Sequence, residues 1–361
     1  MKCFFKILFS ITLPLASFAQ SSSDFETILK VKSSLLKDQQ SSGTCWSFAT
    51  TSFIETEAIR LGKASISLSP IFYVPPTYLA KAKKFIDKKG DSYFAEGDLT
   101  FSVLDTYKKY GAIPEQVYNG IIEEDWQHDH LEMDDLLKKM VESIGTSGYG
   151  RIKPNSWSKA IEGVLRAYLG IPPATFVYKD KLYSPKTFAD EYVGINPEEY
   201  IEITSYKQSD FYKMFTLNIP ANWNENKYLN LPIQEFEKTI DYALENGYSL
   251  AWDGDATEPF FDFEKGVLQL SIDEESIKIT QNFRQKTFDD KTTTDDHNMH
   301  LIGKAKDKNG KVFYILKNSE GINEMGGYVY MSKNAMLLKT ISVLVHKNGI
   351  PTDIKIKSNL K

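Results

Sequence analysis

The stretch that constrains this chain most lies near its start: Lys37-Asp38-Gln39-Gln40-Ser41-Ser42-Gly43-Thr44-Cys45-Trp46-Ser47-Phe48. A polar loop containing a glycine runs into a segment with helical spacing. Trp46, Ala49 and Phe53 share one face, with Ile54 and Ala58 beside them. Gly62 closes the pattern, as a glycine just past a helix end does. Cys45 therefore falls in the first turn of a helix. The free N–H groups and the positive end of the helix dipole favour an anion there, and a thiolate is one. A cysteine serving only as a small core residue would more naturally sit mid-helix on the apolar stripe.

The expected compartment sharpens this choice. Residues 1–19 read as an export signal. Lys2 and Lys6 supply positive charge, Ile7 to Ala16 an apolar run, and Ser17-Phe18-Ala19 small residues at the −3 and −1 positions before Gln20. The run is too short to span a bilayer as a mature helix, although an uncleaved anchor is the alternative. No later stretch approaches membrane length. The mature chain is expected to be periplasmic or secreted, without membrane attachment once cleaved. Cleavage removes Cys3 and moves the formal charge from −5 to −7. Cys45 is then the remaining cysteine, and a single unpaired thiol in an exported protein reads as reactive.

The pattern Gln39-x-x-x-Gly43-x-Cys45-Trp46-x-Phe48 resembles the active-site segment of papain-like cysteine peptidases. The fuller form Asp38 to Trp46 is closer to the bleomycin hydrolase and aminopeptidase C branch than to papain. The resemblance implies that Gln39 donates a side-chain N–H to the oxyanion formed during attack, with the Cys45 backbone N–H as second donor. Gln40 is one place out of register and reads as a solvated loop residue.

A thiol nucleophile needs a base within reach and a third group that orients the base. The chain has five histidines. Papain-like enzymes place theirs far downstream, followed by a strand and Asn-Ser, and Asp296-His297-Asn298-Met299-His300 fits that place. Asn309-Gly310 signals a hairpin, and the return strand Val312 to Lys317 ends at Asn318-Ser319. The resemblance assigns His297 as base and Asn318 as its orienter, the Cys–His pair resting as thiolate and imidazolium. His300 faces the other way on a strand and reads as structural or surface. The family has Trp after Asn-Ser, where it shields the Asn–His bond; here Glu320 stands there. An acid so placed either holds the imidazolium or leaves the bond wet.

His297 follows Cys45 by 252 residues, against roughly 130–150 in papain, so an insertion is implied. Phe94-Ala95-Glu96-Gly97-Asp98-Leu99 resembles the loop whose backbone pairs with substrate, which makes Gly97 and Asp98 candidate substrate contacts. Asp98 stands where relatives often have a second glycine. Its carboxylate either meets a substrate amine or caps the helix beginning near Leu99 and ending at Gly111. Leu131 to Ser143 and Trp157 to Leu169 read as amphipathic helices, as does the stripe Ile233, Phe236, Ile240 and Leu244, closed by Gly247. Tyr248 to Asp253 reads as the strand opening the second lobe. Residues 175–230, rich in Tyr, Lys and Pro, carry no motif.

The expected fold is α+β: a papain-like two-lobe arrangement. Residues 20–125 form a helical lobe with the cysteine, 126–230 a mostly helical insertion, and 231–361 a β-rich, barrel-like lobe with the histidine and asparagine. An acidic chain lacks the electrostatic footprint for nucleic acid. His128-x-His130 with Glu123, Glu124, Asp125 and Asp129 lacks metal-site spacing, and the acids before His297 lack calcium-loop spacing. No metal or cofactor is expected, only a reducing environment for the thiol. The resemblance implies peptide substrates, aminopeptidase action and a homo-oligomer. In that branch the C-terminus lies in the cleft and limits cleavage to chain ends. Here the chain ends Lys355-Ile356-Lys357-Ser358-Asn359-Leu360-Lys361, basic rather than short and apolar. An acyltransferase, a catalytically weakened binding module or a sugar-binding surface protein are the alternatives.

Overall fold

The computed structural model describes residues 25–123, 127–146 and 154–360; the expected export signal lies outside the described residues. Helices α1 (Cys45–Arg60), α2 (Val74–Asp87), α3 (Thr100–Tyr110), α4 (Leu131–Gly145) and α5 (Pro154–Leu169) come first. The one-turn α6 (Pro185–Thr187) follows, then α7 (Ile233–Glu245), α8 (Gln281–Asp289), α9 (Lys333–Lys339) and α10 (Thr352–Lys357). The strands are β1 (Phe25–Lys30), β2 (Phe176–Tyr178), β3 (Lys181–Tyr183), β4 (Tyr200–Thr204), β5 (Met214–Thr216), β6 (Lys227–Asn230), β7 (Leu250–Gly254), β8 (Phe261–Asp262), β9 (Val267–Leu268), β10 (His297–Asp307), β11 (Val312–Lys317), β12 (Tyr328–Ser332) and β13 (Thr340–His346). Among the described residues no helix is long and apolar enough to cross a membrane.

One large sheet runs β5-β6-β4-β13-β7-β10-β11-β12-β9-β8, and β1 also pairs with β10. The long β10 makes this possible. Its first half, His297 to Leu301, pairs with β7, and its second half, Gly303 to Asp307, pairs with β1. The central strands are buried on both faces, so β13 reads Thr-Ile-Ser-Val-Leu-Val-His without a solvent-facing alternation. The period of two still sorts the side chains. Ala251 and Leu344 join the cluster built around α1, α2, α4 and α5. Trp252, Met299, Val343 and Val345 join the other, capped by α7 and α9.

Helix α1 lies between the sheet and α3, and Cys45 to Ala58 are all buried. A helix buried all round must satisfy its polar groups internally. Ser47 donates to the Pro70 carbonyl at 2.6 Å. Glu55 accepts from Lys37 Nζ at 2.8 Å and from the Leu68 N–H at 2.7 Å. Glu57 pairs with Arg60 and accepts the Tyr200 hydroxyl at 3.0 Å. Helix α3 stops at Gly111, whose φ of 90° and approach to the Pro185 carbonyl leave no room for a Cβ.

Residues 126–230 do not form an insertion of their own. The apolar stripes of α4 (Met133, Leu137, Val141) and α5 (Ile161, Leu165, Leu169) complete the helical core. Strand β4, with five buried residues, extends the sheet beside β13. Between them, stacked Phe188 and Tyr192 anchor the β2–β3 hairpin. Each segment goes to the layer that can cover its apolar face.

Candidate active site

The N-terminus of α1 points Cys45 at the start of β10. As the first helical residue, Cys45 has a backbone N–H with no acceptor inside the helix. The preceding loop is pinned to the other lobe. Gln39 N–H donates to the Ser319 carbonyl at 2.7 Å, and the Ser319 hydroxyl donates to Gln39 Oε1 at 2.6 Å. That fixes which end of the amide is oxygen. Gln39 Nε2 then gives one N–H to the Ser42 carbonyl at 2.7 Å, and its second N–H is uncommitted.

His297, the first residue of β10, is buried. Its Nε2 donates to Asn318 Oδ1 at 2.8 Å, which leaves Nδ1 for the hydrogen bond with Cys45. Burial alone would depress the ring's pKa. The bond to Cys45 and its charge, then the charge of Glu320 and the Asn318 bond, outweigh burial and lift it to about 9. Glu320 hydrogen-bonds the asparagine rather than the ring. Its carboxylate accepts from Asn318 Nδ2 at 3.2 Å, so the asparagine can turn only its oxygen toward His297. The ring of Phe263, in the turn after β8, stands edge-on to the imidazole at 6.1 Å, an apolar neighbour from a different segment than the expected Trp.

The other candidates part from this centre. Asp98 offers no carboxylate to a substrate amine, and Leu99, not Asp98, is the N-cap of α3. Its side chain is buried against Lys81 Nζ at 3.4 Å. It accepts from the Leu99 N–H at 2.8 Å, the Ser102 hydroxyl at 2.6 Å and Trp223 Nε1 at 3.1 Å. A buried Lys on α2 demanded an anion, and Asp98 was in reach. Gly97 stays in the loop facing α1, where Trp46 Nε1 donates to the Glu96 carbonyl at 3.1 Å; the Gly97 carbonyl accepts Lys81 at 2.9 Å. His300 is structural and fully buried, not a surface residue, with Nδ1 2.8 Å from the Ser52 hydroxyl. Burial pushes its pKa well down, so the ring is neutral. Gln40 uses its side chain to accept the His128 N–H at 2.6 Å. Glu124 and Asp125 lie outside the described residues. Sequence reasoning missed Ser319 and Phe263, whose roles depend on contacts no local pattern marks.

A thiol at a helix N-terminus, a cationic imidazole held by an amide and an uncommitted N–H donor in the loop before the thiol define a cysteine peptidase of the papain-like fold. The family model "Peptidase C1-like family" matches residues 98–360. Aminopeptidase G of Lactobacillus delbrueckii subsp. lactis is 23% identical across 88% of this chain and 82% of its own. Aminopeptidase C of the same organism is 22% identical across 91% and 82%. Cysteine proteinase 1, mitochondrial, of Saccharomyces cerevisiae is 22% identical across 69% and 60%. The crystal structure of pepw from Lactobacillus rhamnosis superposes with a TM-score of 0.74 at 19% identity, covering 92% of this chain and 84% of that one. The chain belongs to the Peptidase C1-like family, in its bleomycin hydrolase and aminopeptidase C branch.

Proposed function

We propose that this protein is an exported aminopeptidase in which Cys45 is the nucleophile, His297 the acid and base, Asn318 the orienter and Gln39 an oxyanion donor. The observation that carries the reading is the connected set Cys45–His297–Asn318 with the uncommitted N–H of Gln39 beside it. The thiolate of Cys45 attacks the scissile carbonyl carbon, and the displaced electron pair becomes an oxyanion held by Gln39 Nε2 and the Cys45 N–H. The C–N bond breaks as His297 passes its proton to the leaving amine. A water, deprotonated by the now neutral His297, then attacks the thioester, releasing the acid and restoring the thiolate and imidazolium. By the resemblance of the stretch Phe94 to Leu99, the Gly97 segment would run alongside the substrate backbone. No step draws on a metal or cofactor.

Removal of single residues from free N-termini is inferred from the names of the relatives, and export from residues 1–19. The test is hydrolysis of fluorogenic peptide amides with free and blocked N-termini under reducing conditions, with Cys45→Ala as control. Cys45-dependent release from free N-termini alone supports the aminopeptidase. Cleavage of blocked substrates as well replaces it with an endopeptidase, and turnover that needs an acceptor amine replaces hydrolysis with acyl transfer.

A further inference from the structure

His297 contacts Cys45 and His300 contacts Ser52, so β10 and α1 run side by side in the same sense. Asn298 falls between the two histidines, near the nucleophile end. It opens a row that the sheet register defines. Asn298 stands opposite Asp253 of β7, Asp253 opposite Ser342 of β13, and Ser342 opposite Thr204 of β4. Cross-strand partners project from one face. Here it is the face shared by His300 and Ala251 two residues along, the face that carries α1.

Asp253 lies on this row, Asp295 lies beside it, and Glu202 of β4 accepts from the Ser342 hydroxyl at 3.0 Å, also without a Lys or Arg partner among the described residues. Asp98 has Lys81 and Asp255 has Lys339 at 3.1 Å. Among the described residues Asp253 and Asp295 pair with no Lys or Arg. Asp253 is fully buried and its carboxyl shares a hydrogen bond with that of Asp295, two residues before His297. Burial and the neighbouring carboxylate push Asp253 well up, so it keeps its proton, while Asp295, raised to about 6, carries a negative charge at neutral pH. Asp295 is only half-buried, so the pair opens outward through it. Beside them Asn298 is 2% exposed, and its Oδ1 accepts no hydrogen bond. Asp253 is close enough to Cys45 for their charges to interact. A buried acceptor without a donor, next to an anion without a cation, calls for a ligand that brings N–H groups and positive charge.

We propose that Asp295, Asp253 and Asn298 form the subsite that receives a cationic nitrogen of the substrate just upstream of the scissile bond. This rests on the peptidase reading and deepens it. Two parts of a peptide supply such a nitrogen: the free α-ammonium of an N-terminal residue, and the side chain of an Arg or Lys one residue further upstream. Residues 352–360 provide no competing anion there. Helix α10 packs on α7 through Lys357–Glu235 and Lys238–Asp353, and Leu360 packs against the sheet cluster that faces away from α1.

Binding is measured by calorimetry on the Cys45→Ala protein, which separates this inference from turnover. The probes are alanyl-alanine amide, its N-acetyl form, and N-acetyl-arginyl-alanyl-alanine amide. The expected result is that one cationic probe binds about 10- to 100-fold more tightly than the acetylated neutral one. Asp295→Asn should erase that preference and Asp295→Glu retain part of it, while Asp253→Asn, which replaces a carboxyl that already keeps its proton, should leave most of it. Preference for the free dipeptide assigns the subsite to the α-ammonium, and preference for the arginyl probe assigns it to a side chain. Equal binding of all three probes, or a preference that survives Asp295→Asn, overturns the inference. Failure of the unmodified protein to cleave any peptide amide, with the binding preference intact, overturns the peptidase reading alone.

Discussion

Gln39 reaches the proposed reaction centre with its amide already turned. Ser319 holds the oxygen and Ser42 takes one N–H, so the other is uncommitted before substrate arrives. Gln39→Ala should therefore lower kcat about 10²–10³-fold with KM little changed, read from steady-state kinetics on one peptide amide. The ring of His297 has a folded pKa of about 9 against an ordinary 6.5. A pKa raised on folding contributes stability that is present below about 6.5 and lost as pH rises through about 9. Activity follows the same limb, because the imidazolium must protonate the leaving amine. Glu320→Gln removes a charge that favours the imidazolium, so the basic limb of the kcat/KM profile should move to lower pH, more at low than at high ionic strength. A limb that stays put would show that Glu320 acts only through Asn318. The grouping of Gln39, Cys45, His297 and Asn318 was legible because each sits in a short local pattern. The roles of Ser319, Phe263 and Glu320 were not, because they consist of distances between distant segments.

Helix α1 shows what element-scale reading captures and what escapes it. Its position follows from the spacing of Trp46, Ala49 and Phe53, and its end from Gly62. Ser52, Glu55 and Glu57 look like an outer face in sequence, yet all three are buried, since the sheet covers one side and α3 another. Glu55→Ala would leave the buried Leu68 N–H without its acceptor and Lys37 with Glu115 alone, 3.2 Å away. It should cost about 1–3 kcal/mol in urea unfolding, the range for orphaning a buried polar group; a loss well below about 1 kcal/mol, the range of an exposed pair, would mean that Glu55 is solvated. Asp98 teaches the same lesson in reverse. A turn-like position ahead of a helix suggested a cap or an amine ligand, and only the packing of α2 brought Lys81 into reach.

At the scale of the whole molecule, the helical layer and the sheet meet along α1 and β10, and the proposed centre lies at the end of that seam. If residues 1–19 act as an export signal, the exported protein should begin at Gln20 by intact-mass measurement, and a chain retaining Met1 would reject that cleavage. The sequence by itself determined the loop-to-helix turn that carries Cys45, the β10–β11 hairpin that brings His297 to Asn318, and the α+β class. These are written in periodicity and in turn chemistry, which act over a few residues. Only the tertiary structure decided that residues 126–230 divide between the two layers, that Asp98 belongs to Lys81, and that Asn298, Asp253 and Ser342 form one row. Burial and strand register are relations between segments far apart in the chain. A carboxylate has the same letter whether a lysine or a substrate answers it.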